Sequence, residues 1–207
     1  MPQSSNNGTR NRIIDETIAV AAEVGWANVR LRIVAERLGM SLADIHAHFR
    51  DLDAVANAWF ARSCEAMLAP SPASFPSVPA RERVHAVMMR WFEAMEPHKR
   101  TVGQVLRTKM YPSHPHHWIP LVFDLSRLIH WVREAALLDA KGARRQMEEV
   151  GLTLVFLRTL PVWLCDRSTD QVRARQFLSR RLGCGDWIMS CVWGRHAPPA
   201  ATADGVS

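Results

Sequence analysis

Residues 31–49 read LRIVAERLGMSLADIHAHF, and the stretch divides at Gly39. On its N-terminal side the apolar residues recur at three- and four-residue steps, the spacing of one helical face. Gly39 supplies a residue that turns sharply without a Cβ clash. Ser41 and Asp44 then form an S-x-x-D pair, in which each side chain satisfies the other's backbone N–H at the start of a helix. Helix, glycine turn and short capped helix make a helix-turn-helix, whose second helix presents its N-terminal side chains to the major groove of DNA. The alternative is a trio of helices that only packs.

Outward from this stretch the helical periodicity continues almost everywhere and β-branched alternation is nearly absent, so the fold class is all-α. A first helix spans about Arg10 to Val24, with Ile14, Ile18, Ala21 and Ala22 on one stripe and Gly25 as its C-cap. Asp51 caps a fourth helix, about Leu52 to Leu68, carrying Val55, Trp59, Cys64 and Leu68. The segment PSPASFPSVP, residues 70–79, places four prolines in ten positions and ends that helix. Further helices are expected near 80–95, 98–111, 117–139, 142–166, 169–182 and 186–194, with Ser168 and Gln171 as a second capping box and a kink or break at Pro161. The implied layout is a disordered N-terminus (1–9), a helix-turn-helix domain with its connecting helix (10–69), a Pro-rich linker (70–79), a helical bundle (80–196) and a disordered tail (197–207).

The chain has 207 residues and a net charge of +6, but the basic excess lies in the wrong half to argue for DNA. Residues 1–69 carry seven Arg against eight acids, net −1, which leaves +7 for the remainder. Four scattered cysteines without a CxxC indicate neither a zinc site nor a disulfide framework and suit a reducing cytoplasm. No apolar run approaches the roughly 18 residues that span a bilayer, and MPQSSNNGTR has no signal-peptide core. His114, His116 and His117 fall in a proline-bounded turn with no carboxylate or Cys at ligand spacing, so no metal is expected. There is no phosphate loop or nucleophile elbow, and Asp15-Glu16 and Glu148-Glu149 look like solvated helix faces; neither an enzyme nor a cofactor is indicated.

The longer pattern AVAAEVGWANVRLRIVAERLGMSLADIHAHFRDLDAV, residues 19–55, resembles the TetR family of one-component regulators. The resemblance rests on the Ala-rich end of the first helix with Gly25-Trp26, on Val34-Ala35, on the turn Gly39-Met40-Ser41, and on His46-Ala47-His48-Phe49. It implies a TetR-like architecture, an N-terminal three-helix helix-turn-helix domain plus a C-terminal helical bundle domain. It also implies a DNA-binding regulator, most simply a repressor, acting as a homodimer on palindromic operator DNA. Arg30 and His46 occupy positions of phosphate contacts. Arg12, Arg32, His48 and Arg50 would add others, while Leu42, Ala43 and Asp44 would face base edges, by apolar contact with a thymine methyl or by Asp accepting from cytosine N4. Leu52 stands where many members carry a Lys, and Asp44, Asp51 and Asp53 bring negative charge toward the groove.

For the second half, the resemblance implies an apolar small-molecule or lipid effector held between central helices. Met88, Trp91, Phe92, Met95, Leu106, Met110, Trp118, Phe123 and Trp131 are the candidate lining, although Met and aromatic residues at helical spacing also make an ordinary core. Residues 149–164, EVGLTLVFLRTLPVWL, are apolar on nearly all sides. With the helix after them they form the candidate dimer interface: Leu154, Leu157, Arg158, Trp163, Phe177 and Leu178. Residues 117–182 are also similar to the lipid-binding accessory proteins of coenzyme Q (ubiquinone) biosynthesis, through His117-Trp118, Arg144-Arg145, Trp163, Asp166-x-Ser168 and Phe177-Leu178 before Arg181. That likeness implies an alternative function: the same fold holding an isoprenoid lipid, without DNA binding. Trp187, Ile188, Cys191 and Val192 in residues 186–194 would give weak membrane contact, or pack on their own domain.

Overall fold

A computed structural model describes the backbone of residues 2–109 and 115–193, and the side chains of residues 6–109, 124–185 and 191. Every long element in these segments is an α-helix: α1 (Pro2–Val24), α2 (Leu31–Leu38), α3 (Leu42–His48), α4 (Leu52–Met67), α5 (Ala80–Met95), α6 (Lys99–Lys109), α7 (Pro115–Ala135), α8 (Gly142–Cys165) and α9 (Val172–Trp193).

The first four helices keep the expected order, and three packed faces explain why. α1 buries Ile13, Ile14, Thr17, Ile18, Val20 and Ala21, with Ala22 outside. Trp26, in a short 3₁₀ turn, Val34 and Ala35 from α2, and Ile45 and Phe49 around α3 fill the space against it. Each Ile, Val or Phe among them, taken fully out of water, contributes roughly 1.5–3 kcal/mol before entropy is charged against it. Ion pairs hold the outside: Arg37 of α2 to Glu23 (2.5 Å) and Glu16 (3.3 Å), and Arg62 of α4 to Asp15 (2.6 Å). Asp15 and Glu16, expected to be merely solvated, are therefore interhelical clamps.

In the second half α5 is the central rod. Val84, Val87, Met88, Met89, Trp91, Phe92 and Met95 are all buried, with α4, α7 and α9 packed around it. The α7–α8 turn passes through Leu137, whose φ is +56°, and is pinned by Arg133. This guanidinium is almost wholly buried and reaches Glu148 (3.2 Å), Glu149 (3.4 Å) and the Ala140 carbonyl (3.2 Å). A buried cation is tolerable only when paired in this way, so Glu148 and Glu149 are structural partners and not a solvated face.

Several expectations need correction. α1 begins at Pro2, not near Arg10; Pro2 occupies the first helical position, where its missing N–H costs nothing, and no breaker follows before Gly8. The final two helices are one, since α9 runs unbroken through Gly183 and Gly185, and of the kink or break expected at Pro161 the break is excluded, because α8 continues through it. Ser168 and Gln171 make no capping box: the Ser168 hydroxyl donates to Asp166 Oδ1 (2.6 Å), and Asp166 Oδ2 accepts from Ala174 N (2.9 Å) at the start of α9. The segment 70–79 is a fastened turn. Phe75 is buried beneath Arg90, and Arg83 donates to the Pro76 and Val78 carbonyls. The tail 197–207 lies outside the described residues.

Candidate nucleic-acid interface

The turn between α2 and α3 needs its glycine, for Gly39 sits at φ +64°, ψ +32°. Its N–H returns to Glu36 O (3.1 Å), and Met40 N–H to Ala35 O (2.9 Å), which ends α2 within one residue. α3 then starts on the anticipated capping box. Ser41 Oγ accepts from Asp44 N (3.1 Å), while Asp44 Oδ2 accepts from Ser41 N (2.8 Å) and from the Ser41 hydroxyl (2.8 Å). The Ser41 N–H first, and its hydroxyl second, hold the Asp44 carboxyl below the ordinary carboxylate range.

From inside, Ile45 and Phe49 fix which way α3 faces, being 1% and 2% exposed. Arg10 clamps the far end: its guanidinium lies 4.2 Å from the Phe49 ring centroid and donates to the His48 carbonyl (2.9 Å). No local pattern marked Arg10, because its hydrogen-bond partner lies 38 residues further along the chain. What α3 leaves outside is Leu42, Ala43, Asp44, His46 and Ala47, with His48 half-buried. Leu42 is 55% exposed. Beside it opens a shallow cleft of about 390 Å³ lined by Leu31, Leu42, Ala43, Ile45, His46, Phe49 and Arg50.

Arg12 and Arg32 are exposed, with no acidic partner among the described residues. Arg50 is exposed and 3.1 Å from Asp51. Arg30 is exposed too, but its guanidinium donates to the Ala27 (3.1 Å) and Val29 (3.0 Å) carbonyls, so any phosphate contact would share it with the preceding turn. Each of the three acids that weighed against DNA is engaged. Asp44 belongs to the capping box, Asp51 caps α4 through Ala54 N (2.7 Å), and Asp53 is ion-paired with Lys109 of α6.

Lys109 is nearly buried and also donates to Asn57 Oδ1 (2.8 Å). One and a half turns earlier on α6, Gln104 Oε1 accepts the Trp26 N–H (2.9 Å). α6, a helix of the second half, thus grips the helix-turn-helix unit at two points. Sequence pattern gave no sign of either.

The remaining candidate residues divide. Met88, Trp91, Phe92 and Met95 are buried together, with Phe92 5.3 Å from Phe156 and 5.4 Å from Trp163 between ring centroids. Leu106 is half-buried. Trp131 is 47% exposed and does not join this cluster; Val132 and Ile129 take the inner face of α7 instead. Met110, Trp118 and Phe123 lie outside the described side chains, as do His114, His116, His117, Trp187 and Ile188. Among described residues no group of His, Cys, Asp and Glu is arranged to hold a metal, and no helix is long and apolar enough to cross a membrane.

At the expected dimer face, Leu154 (48%), Leu157 (44%) and Arg158 are exposed and Phe177 is half-buried beneath Arg181. Trp163 and Leu178 are fully buried within their own chain, which corrects their assignment to an outer face. The Trp163 ring N–H is used on Glu96 (2.7 Å).

Comparison with known proteins agrees with this geometry. The chain is similar to the crystal structure of the TetR transcriptional regulator from Nitrosomonas europaea, at 35% identity over 87% of this chain and 99% of that one, with a TM-score of 0.76. It also matches a TetR transcriptional regulator from Rhodococcus at a TM-score of 0.64, covering 89% of this chain and 97% of that one; at 16% identity this likeness concerns the fold alone. No family model and no curated protein matches the chain.

Proposed function

Because this chain belongs to the TetR family of transcriptional regulators, we propose that it is a repressor that binds a palindromic operator as a homodimer and releases it when an apolar effector enters the second half. One observation carries this reading. α3 is capped, anchored from inside by Ile45 and Phe49, and turns Leu42, Ala43 and His46 outward with Arg50 beside them, while nearby acids are engaged within the chain. Arg12, Arg32 and Arg50, together with Arg30 and His46, supply the phosphate contacts that position a protein on DNA.

The proposed dimer uses the outer edge of α8, where Met147, Val150, Leu154 and Leu157 are exposed at alternating three- and four-residue steps, with Val172 of α9 exposed after the turn. The proposed effector site is built around Met88, Trp91, Phe92, Met95 and Leu106. An effector acts only if it binds the two arrangements of the dimer unequally.

The test is an anisotropy titration of the purified protein against its own upstream DNA at two salt concentrations, with unrelated DNA as control. Selective, salt-dependent binding is expected, and Arg32→Ala should weaken binding to all duplexes and reduce the salt slope by about one per subunit. Binding indifferent to sequence sinks the regulator reading. A bound isoprenoid lipid extracted from such a protein would favour the accessory lipid carrier, and contact of residues 186–194 with vesicles would extend that second reading. A regulator of this kind works in the cytoplasm.

A further inference from the structure

Resting on the reading that α3 enters the major groove, we propose that this protein selects its half-site through thymine methyl groups, read by Leu42 with Ala43 beside it. The first observation is chemical. Residues 42–47, Leu-Ala-Asp-Ile-His-Ala, contain no Arg, Lys, Asn or Gln, the side chains that make paired hydrogen bonds to guanine or adenine. His46 offers a single hydrogen bond through whichever ring nitrogen faces the DNA. The second observation weakens the competing reading of cytosine. Asp44 is the acceptor suited to the cytosine amino group, yet its Oδ2 is held by the Ser41 N–H and hydroxyl, both at 2.8 Å. The carboxylate is thereby fixed at the start of α3, and Oδ1 alone, in the orientation the capping box allows, is left to accept from a base.

The third observation is Leu42 itself. α3 buries its other large apolar side chain, Ile45, whereas Leu42 is 55% exposed on the wall of the 390 Å³ cleft, next to Ala43 and His46. Among the described residues more than half of it is left uncovered. In the major groove the apolar feature on a base edge is the C5-methyl of thymine, and Leu42 is the group on this face that gains from meeting it. Arg50, which lines the same cleft, and the exposed Arg12 and Arg32 of the helix-turn-helix unit fit a polyanionic occupant and not an apolar protein partner.

The experiment uses the full chain and a randomised duplex pool to obtain the preferred site. Each thymine is then replaced in turn by deoxyuridine, which keeps every hydrogen-bonding group and removes only the methyl. At one or two positions in each half-site, the wild-type protein should lose about fourfold in affinity per methyl, the factor given by one buried methylene. Leu42→Ala should bring that ratio close to one; as an exposed residue its loss should leave the helical circular dichroism and the melting curve unchanged. Asp44→Asn should keep the deoxyuridine ratio.

Deoxyuridine accepted everywhere without loss would overturn the proposal, as would a Leu42→Ala protein that still discriminates, or an Asp44→Asn protein whose preference changes at a cytosine. Failure of the pool to enrich any sequence is a different result: it removes the operator reading and this inference with it.

Discussion

At the residue scale, two identical local patterns have opposite fates. Ser41 and Asp44 form the capping box their spacing announces, since both partners belong to one turn and nothing else competes for them. Ser168 and Gln171 have the same spacing and do not, because Asp170 and Gln171 turn through positive φ (+54° and +57°) and α9 starts beyond them, with Asp166 accepting the Ala174 N–H. Burial of Asp166 acts to raise its pKa, but hydrogen bonds from the Ser168 hydroxyl, the Ser168 N–H and the Ala174 N–H, with the charge of Lys99, outweigh it and leave the group below the ordinary value. A carboxyl whose folded pKa lies below its unfolded one stabilises the protein fully above the unfolded value, about 3.9, and loses that contribution as pH falls through the lower folded value. Stability of the wild type should therefore decline below about pH 4 more steeply than that of Asp166→Asn, which should already be weaker at neutral pH by about 1–3 kcal/mol, the cost of a stranded buried donor. Urea midpoints from pH 3 to pH 7 check this; parallel curves for the two proteins would sink it.

At the element scale, the number of helices up to α8 was legible because amphipathic spacing and turn residues act within a few positions. The joins between elements were not, because their partners are far apart in sequence. The Lys109–Asp53 contact spans 56 residues, and nothing around either residue hints at the other. For the same reason Asp53 read as an obstacle to DNA, although it is part of the joint between α4 and α6. The N-terminal turns of α1 are illegible for a different reason: residues 2–10 are polar and carry no apolar periodicity, while Pro2 at the first helical position permits a helix. Lys109→Met should expose the worth of this joint. It leaves Asp53 and Asn57 without the ammonium they share, and removal of one partner from a largely buried ion pair costs about 3 kcal/mol. The urea midpoint should fall accordingly, and the helix-turn-helix unit should lose operator affinity even though Lys109 lies off the reading face. An unchanged midpoint would mean that the joint contributes nothing.

At the scale of the whole molecule, α8 shows the limit of periodicity. Its run from Glu149 to Leu164 is apolar all round, which establishes that both sides are covered but not by what. The structure separates the sides. Leu152, Phe156, Thr159 and Trp163 face the chain's own core, and Met147, Val150, Leu154 and Leu157 face outward. A continuous outer stripe of large apolar residues along a helix needs a second surface, and a two-fold axis beside α8 would let each copy cover the other's stripe. Leu157→Glu places a charge on that stripe without touching the core, so the helical content should be unchanged while sedimentation equilibrium shows a shift from dimer to monomer. Operator affinity should fall by about a hundredfold or more, because the second half-site is no longer bound as an intramolecular event. Affinity for an isolated half-site should stay the same, since α3 and its anchors are untouched. A Leu157→Glu protein that remains dimeric would move the interface off α8, and a monomer that keeps full operator affinity would remove the two-fold from the recognition of DNA.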